Sequence, residues 1–152
     1  MRFCFYDRVV EIEKGKRIVA VKAFALSEEQ HRRHFRKAAL VPGAILIETM
    51  AQVLGWLINY SHDFKLVAIL SRLEHVELRS DLRPGFEATV EAEIIATSRG
   101  DSMGKATIVA GGERIGSLGR ILYKHFHNVD PEELSGWFRY YSGLQDLSSE
   151  RE

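Results

Sequence analysis

The sequence has a single cysteine, Cys4, so no disulfide can close within the chain, and it reads as a protein of a reducing compartment, most simply the cytoplasm. Long hydrophobic runs are missing. The most apolar stretch, Ala44 to Leu57, is interrupted by Glu48 and Gln52. It also falls short of the roughly 20 residues that span a bilayer. The opening, MRFCFYDRVVEIEKGKR, is broken by Asp7, Glu11 and Glu13 and has the pattern of neither a signal peptide nor an anchor. Neither sign of charge is in excess: 21 Lys and Arg balance 21 Asp and Glu, so no nucleic-acid or membrane partner is expected. No glycine-rich phosphate loop and no nucleophilic serine setting is visible.

What is present describes an ordinary globular protein. With 152 residues, 45% hydrophobic and 28% charged, the chain suits one domain with a real core. Glu11 to Leu26 reads as a hairpin turning at Glu13-Lys14-Gly15-Lys16. Ser27 to Val41 is polar, basic and patternless, a loop of functional length with at most a helical turn. From Ala44 to Ser61 apolar residues recur all round, with Pro42 suited to a helix start, so a buried helix is expected. Lys65 to Leu70 and Glu74 to Leu78 read as two short strands. Phe86 to Ile94 alternates apolar residues with Glu87, Thr89, Glu91 and Glu93, the signature of a strand with one wet face. Ala106 to Ala110 and Ile115 to Tyr123 complete the strands. The turns between them are short, which favours an antiparallel sheet. The order predicts an α+β fold in which an antiparallel β-sheet wraps a long central α-helix. Residues 1–124 would form this domain. Residues 125–152 would be an extension, with a short helix over about 131–142 and a loose tail from Leu144. Leu134, Trp137, Phe138 and Tyr141 give that helix an aromatic stripe for the sheet or a partner chain.

Two features suggest chemistry. Glu48 and Gln52, four apart, share a face of the most apolar helix. A carboxylate there costs several kcal/mol to desolvate or takes up a proton, and a carboxylic acid can serve as a general acid. A structural pairing with an arginine or histidine is the alternative. His34 lies in the basic loop upstream of Pro42-Gly43, where it is either a base working near neutral pH or a surface residue. Gly43 stands where the helix begins, and free backbone N–H groups there can hold a developing oxyanion. His31 with His34, and His125 with His127, have spacings seen in metal sites, but no cysteine or acid cluster completes either, and no metal is expected.

The run His34-Phe35, Val41-Pro42-Gly43, Glu48, Ala51-Gln52 resembles the active-site segment of the FabZ-type 3-hydroxyacyl-acyl-carrier-protein dehydratases. Pro42, Glu48 and Gln52 follow His34 by 8, 14 and 18 residues, the family's offsets. Tyr6-Asp7-Arg8-Val9 and Arg83-Pro84-Gly85 resemble its flanking hairpin and turn. Arg36-Lys37 stand where the family has Pro-Gly, and Val41 where it has methionine. The resemblance implies a hotdog fold and a homodimer, or a trimer of dimers, with sites at the subunit interface. It implies that His34 removes the α-proton of a 3-hydroxyacyl thioester, that Glu48 protonates the leaving hydroxyl, that the Gly43 amide steadies the thioester oxygen and that Gln52 orients Glu48. It also implies a substrate slot formed by Phe35, Leu40, Val41, Pro42, Ile45, Leu46 and Met50. Arg32, Arg33, Arg36 and Lys37 would dock an acidic acyl carrier protein. No cofactor is required, since proton transfer and electrostatics suffice for the elimination. A hotdog thioesterase and a non-catalytic carrier-binding subunit are the alternative readings.

Overall fold

A computed structural model describes residues 5–144; the expected tail lies, beyond Leu144, outside the described residues. The elements are β1 (Arg8–Glu13), β2 (Arg17–Phe24), α1 (Glu29–Arg33), α2 (Gly43–Ser61), β3 (Val67–Leu78), β4 (Phe86–Thr97), β5 (Asp101–Ala110), β6 (Glu113–Phe126) and α3 (Pro131–Ser142). The six strands form one antiparallel sheet in the order β1-β2-β4-β5-β6-β3. It curves around α2, which packs on β2 to β6. This sheet around a single helix is the hotdog fold.

The core follows from two periodicities. On α2, Leu46, Met50, Leu54, Leu57 and Ile58 are fully buried, a stripe at helical spacing. On β4, Ala88, Val90 and Ala92 face inward while Glu87, Thr89 and Glu91 face water. Ile18, Ala20 and Phe24 from β2, and Ile108, Leu118 and Ile121 from β5 and β6, complete the layer under the helix. Each large side chain so buried contributes about 2 kcal/mol of apolar transfer.

Three details differ from the sequence reading. The two short strands expected over 65–78 are one, because a bulge between Leu70 and Arg72 absorbs an irregular residue, and the Ser71 hydroxyl bonds the Leu122 carbonyl across it at 3.1 Å. β6 runs on to Phe126, past the 124/125 division. The aromatic stripe of α3 meets α2 and the turn after it, while α3 also touches β1 of the sheet: the Phe138 ring lies 5.5 Å from Trp56, 5.9 Å from Tyr60 and 5.6 Å from Phe64. α3 is well framed, with the Asp130 carboxylate accepting from the Glu132 and Glu133 amides, Pro131 in the first turn and Gly143 at φ 70° closing the end.

The basic loop is fastened at both ends. Lys22, only 6% exposed, pairs with Glu28 at 3.0 Å, and Glu28 also accepts from the Ala25 amide and the Gln30 side chain. Buried His31 bonds the Ala25 carbonyl through Nδ1 at 2.7 Å. At the far end the Val41 amide donates to the Leu82 carbonyl at 2.8 Å. Between these anchors His34 to Ala38 are exposed.

The helix sits against β5 at Gly104, where an added Cβ would fall 2.5 Å from the Glu93 carbonyl oxygen and 2.6 Å from Leu54 Cδ2. The oxygen belongs to the β4–β5 ladder and cannot retreat. Gly104→Ala is therefore expected to cost about 1–3 kcal/mol in urea unfolding. Gly136→Ala, on α3 with open space around it, should stabilise by up to about 1 kcal/mol. Equal and small effects at both positions would refute the close seating of α2.

Candidate active site

Seating Leu46, Met50 and Leu54 in the sheet turns the opposite face of α2 outward. Glu48, Gln52 and Trp56 lie on that face at four-residue intervals, with Ala51, Gly55 and Asn59 beside them. They line a cavity of about 390 Å³. β3 contributes Ala68, Ile69 and Leu70, β6 contributes Tyr123, and α3 contributes Trp137 and Tyr141. The lining is mostly apolar with a few convergent polar groups, the usual character of a small-molecule site.

Glu48 is half-buried and held in place. The Gln52 amide nitrogen donates to Glu48 Oε1 at 3.0 Å, and Gln52 Oε1 accepts the Phe5 backbone N–H at 2.9 Å. The second contact fixes which end of the Gln52 amide faces Glu48. Tyr123, buried beneath, donates its hydroxyl to the Ala51 carbonyl at 2.6 Å. Burial, and secondarily the nearby Glu48 charge, push the Tyr123 hydroxyl far above its ordinary pKa of 10.0, so it remains a protonated donor committed to the helix backbone. Gly43 is the first residue of α2, where its amide has no acceptor within the helix.

The other expected site residues do not gather here. Val41, Leu46 and Met50 are buried in the core, and Pro42 and partly buried Ile45 pack at the start of the helix. The reason is angular: at 3.6 residues per turn, positions two before and two after Glu48 point about 160° away from it, so Leu46 and Met50 cannot share its cavity. Leu40 is partly buried and Phe35 is exposed, its ring edge-on to His34 with centroids 4.7 Å apart. His34 is exposed and is not on the cavity wall of its own chain. Arg32, Arg33, Arg36 and Lys37 are all exposed, with Arg33 paired to Glu29 at 2.9 Å.

The wall residues Ala51, Gly55, Trp56 and Asn59 were legible as the helical neighbours of Glu48 and Gln52. Tyr123, Trp137 and Tyr141 carried no such signal, since only the tertiary fold brings β6 and α3 to this face.

The fold and site define a hotdog protein with a carboxylate on its central helix. Residues 1–118 match the family described as the FabA-like domain, and the chain belongs to that family. The 3-hydroxyacyl-[acyl-carrier-protein] dehydratase FabZ of Ruminiclostridium cellulolyticum is 31% identical over 104 residues, covering 68% of this chain and 73% of the relative. The dehydratase heterocomplex ApeI:P from Xenorhabdus doucetiae superimposes with a TM-score of 0.65 at 11% identity, covering 88% of this chain and 89% of that one. A thioesterase from Haemophilus influenzae gives 0.61 at 9% identity, covering 79% and 78%. The last two show the fold alone. No helix among the described residues is long and apolar enough to cross a membrane.

The remaining histidines serve a different end of the molecule. His62 Nε2 meets Thr97 Oγ1 at 2.7 Å, Thr97 meets Ser102 at 2.6 Å, and Ser102 meets His125 Nε2 at 2.7 Å. His125 Nδ1 and His127 Nε2 both reach the Arg99 carbonyl, at 3.1 and 2.8 Å. Among the described residues no three His, Cys, Asp or Glu are placed to hold a metal. The chain of bonds ties the end of α2 to the β4–β5 turn. Burial foremost, then repulsion from His125 and His127, lowers the His62 pKa below its ordinary 6.5, with Asp63 opposing. Unfolding lets His62 protonate at its ordinary value, so its contribution to stability is complete above pH 6.5 and is lost as pH falls through and below it. The melting temperature should drop more steeply between about pH 7 and pH 5.5 in the native protein than in His62→Asn. Parallel curves would show that His62 does not titrate on unfolding.

Proposed function

We propose that this protein dehydrates 3-hydroxyacyl thioesters, presented on an acyl carrier protein, to the trans-2-enoyl thioesters of fatty acid or related acyl-chain synthesis. The observation that carries the reading is Glu48, oriented by Gln52 at an apolar cavity of about 390 Å³, in a chain 31% identical to an enzyme of that name. His34 takes the proton from C2. Glu48 delivers a proton to the C3 hydroxyl, which leaves as water, and the C2–H electron pair becomes the C2=C3 bond. The Gly43 amide steadies the thioester oxygen while charge gathers on it. Residues 1–124 act as the dehydratase unit and the remainder as its extension, in the cytoplasm.

The reaction requires His34 from a second copy of the chain. β3 is an edge strand, with Ile69 49%, Leu70 37% and Val76 41% exposed, and an apolar edge of this kind invites pairing. Ala68, Ile69 and Leu70 also border the Glu48 cavity, so a copy paired along β3 would cover it and offer its own His34 loop. The assembly is a homodimer, alone or within a trimer of dimers.

Glu48→Gln and His34→Ala should each lower turnover of a 3-hydroxyacyl thioester at least about a hundredfold, followed by enoyl absorbance. Mixing the two inactive variants should restore roughly a quarter of wild-type activity, because half the dimers are mixed and one of their two sites is intact. No recovery despite verified subunit exchange would reject the shared site. Release of free thiol without enoyl product would make the protein a thioesterase instead. Reversing the docking charges with Arg36→Glu and Lys37→Glu should raise KM several-fold for the carrier-protein substrate and leave the CoA analogue unchanged. Equal effects on both substrates would remove that patch from carrier recognition.

A further inference from the structure

We propose that α3 sets the length of acyl chain the site accepts, with Trp137 closing the cavity at the end remote from Glu48. The inference rests on the acyl-thioester reading above and assigns a role to a segment that lies beyond the family match, which ends at residue 118.

The cavity follows one face of α2 from Glu48 to Asn59. Eleven residues of helix rise about 16 Å, so the cavity is a channel along the helix rather than a pocket around the carboxylate. Its near part is lined by small residues, Ala51 and Gly55, and by Gln52. Its far part changes character. Trp56 lies there with its ring stacked on Phe138, and Asn59 is tied to β3 by accepting the Ala68 amide at 2.9 Å. An acyl chain entering with its thioester at Glu48 would send its methyl end toward this aromatic end.

α3 makes a firm wall. Phe138 is 1% exposed and held among Trp56, Tyr60 and Phe64. Capping at Asp130 and Gly143 fixes both ends of the helix. Trp137 is the neighbour of Phe138, so its ring stands beside the anchored one at this end. Tyr141 lies one turn on, toward Gly143, which comes against Arg8, and Phe5, three residues before Arg8, donates to Gln52, so the Tyr141 ring walls the side of the channel nearer Glu48. Both rings are partly buried, and both line the cavity. A chain long enough to reach Trp137 must displace an aromatic side chain whose helix is already seated. One methylene in an apolar pocket is worth about 10- to 200-fold in discrimination, so such a wall can set a cut-off within a few carbons.

The test is the length profile. kcat/KM is measured for 3-hydroxyacyl thioesters from butyryl to hexadecanoyl, all on one carrier, with the native protein, Trp137→Ala and the milder Trp137→Leu. Removal of the wall should move the optimum to longer chains and raise the long-to-short ratio at least tenfold. A uniform change at all lengths would overturn the proposal. Trp137→Leu, checked by its melting curve, keeps the helix packed, and an unaltered profile in that folded variant counts against the gauge. In parallel, S-alkyl pantetheines of graded length are titrated by calorimetry. A length shift in binding without any dehydration supports the wall and rejects the dehydratase. Dehydration with no length shift in either measurement rejects the wall and keeps the dehydratase.

Discussion

Five side chains of α2, Leu46, Met50, Leu54, Leu57 and Ile58, drive the helix into the concave side of the sheet, and that contact decides where everything else on the helix goes. Once they face Ile18, Val90, Ile108 and Leu118, the helix has no rotational freedom left. Glu48 and Gln52 are then turned outward, onto the face that β3 and α3 border. The polar pair stays out of the core as a consequence of the helix being locked by the apolar residues opposite it. Gly104 permits the close approach, so a backbone position on β5 helps set the depth of a carboxylate on another element.

Much of this was legible before any coordinates. The alternation in Phe86–Ile94 specifies an exposed and a buried face, and β4 adopts them. The all-round apolar run after Pro42 specifies a helix inside something, and one helix with one sheet leaves few ways to cover it. What periodicity conveys poorly is rotation about the helix axis. Ile45, Leu46 and Ile47 are all apolar, and nothing in their chemistry says which faces the sheet. The positions of Glu48 and Gln52 do say it, by exclusion, and they place Leu46 and Met50 in the core. Lys22 shows the opposite limitation. Its strand pattern puts it on the inward row between Ala20 and Phe24, and burial is tolerable there only because Glu28, from the following loop, supplies the countercharge.

That ion pair also bears on the histidine. A loop as polar as Ser27 to Val41 would hold no side chain in a defined place by its own composition. Lys22–Glu28, His31 on the Ala25 carbonyl and the Val41–Leu82 bond restrain it at two ends, with the stretch around His34 exposed between them. The Arg36-Lys37 pair falls in that exposed stretch, so the departure from Pro-Gly alters charge and backbone freedom at the part of the loop that any partner would meet first.

The two ends of α2 are consequently held by different physics. The N-terminal end is left open beside an unpaired sheet edge, where a mate and a substrate can enter. The C-terminal end is closed twice, by the hydrogen-bonded chain from His62 to His125 and by the aromatic cluster of Trp56, Tyr60, Phe64 and Phe138. A cavity running between the Glu48 carboxylate and an aromatic terminus has a direction built into it. On the proposed reading, the polar head of an acyl thioester would lie at the Glu48 end and its alkyl carbons at the Trp137 end, so it would fit one way round. That polarity requires no contact with the ligand's middle, which is why small residues such as Ala51 and Gly55 suffice along the channel between them.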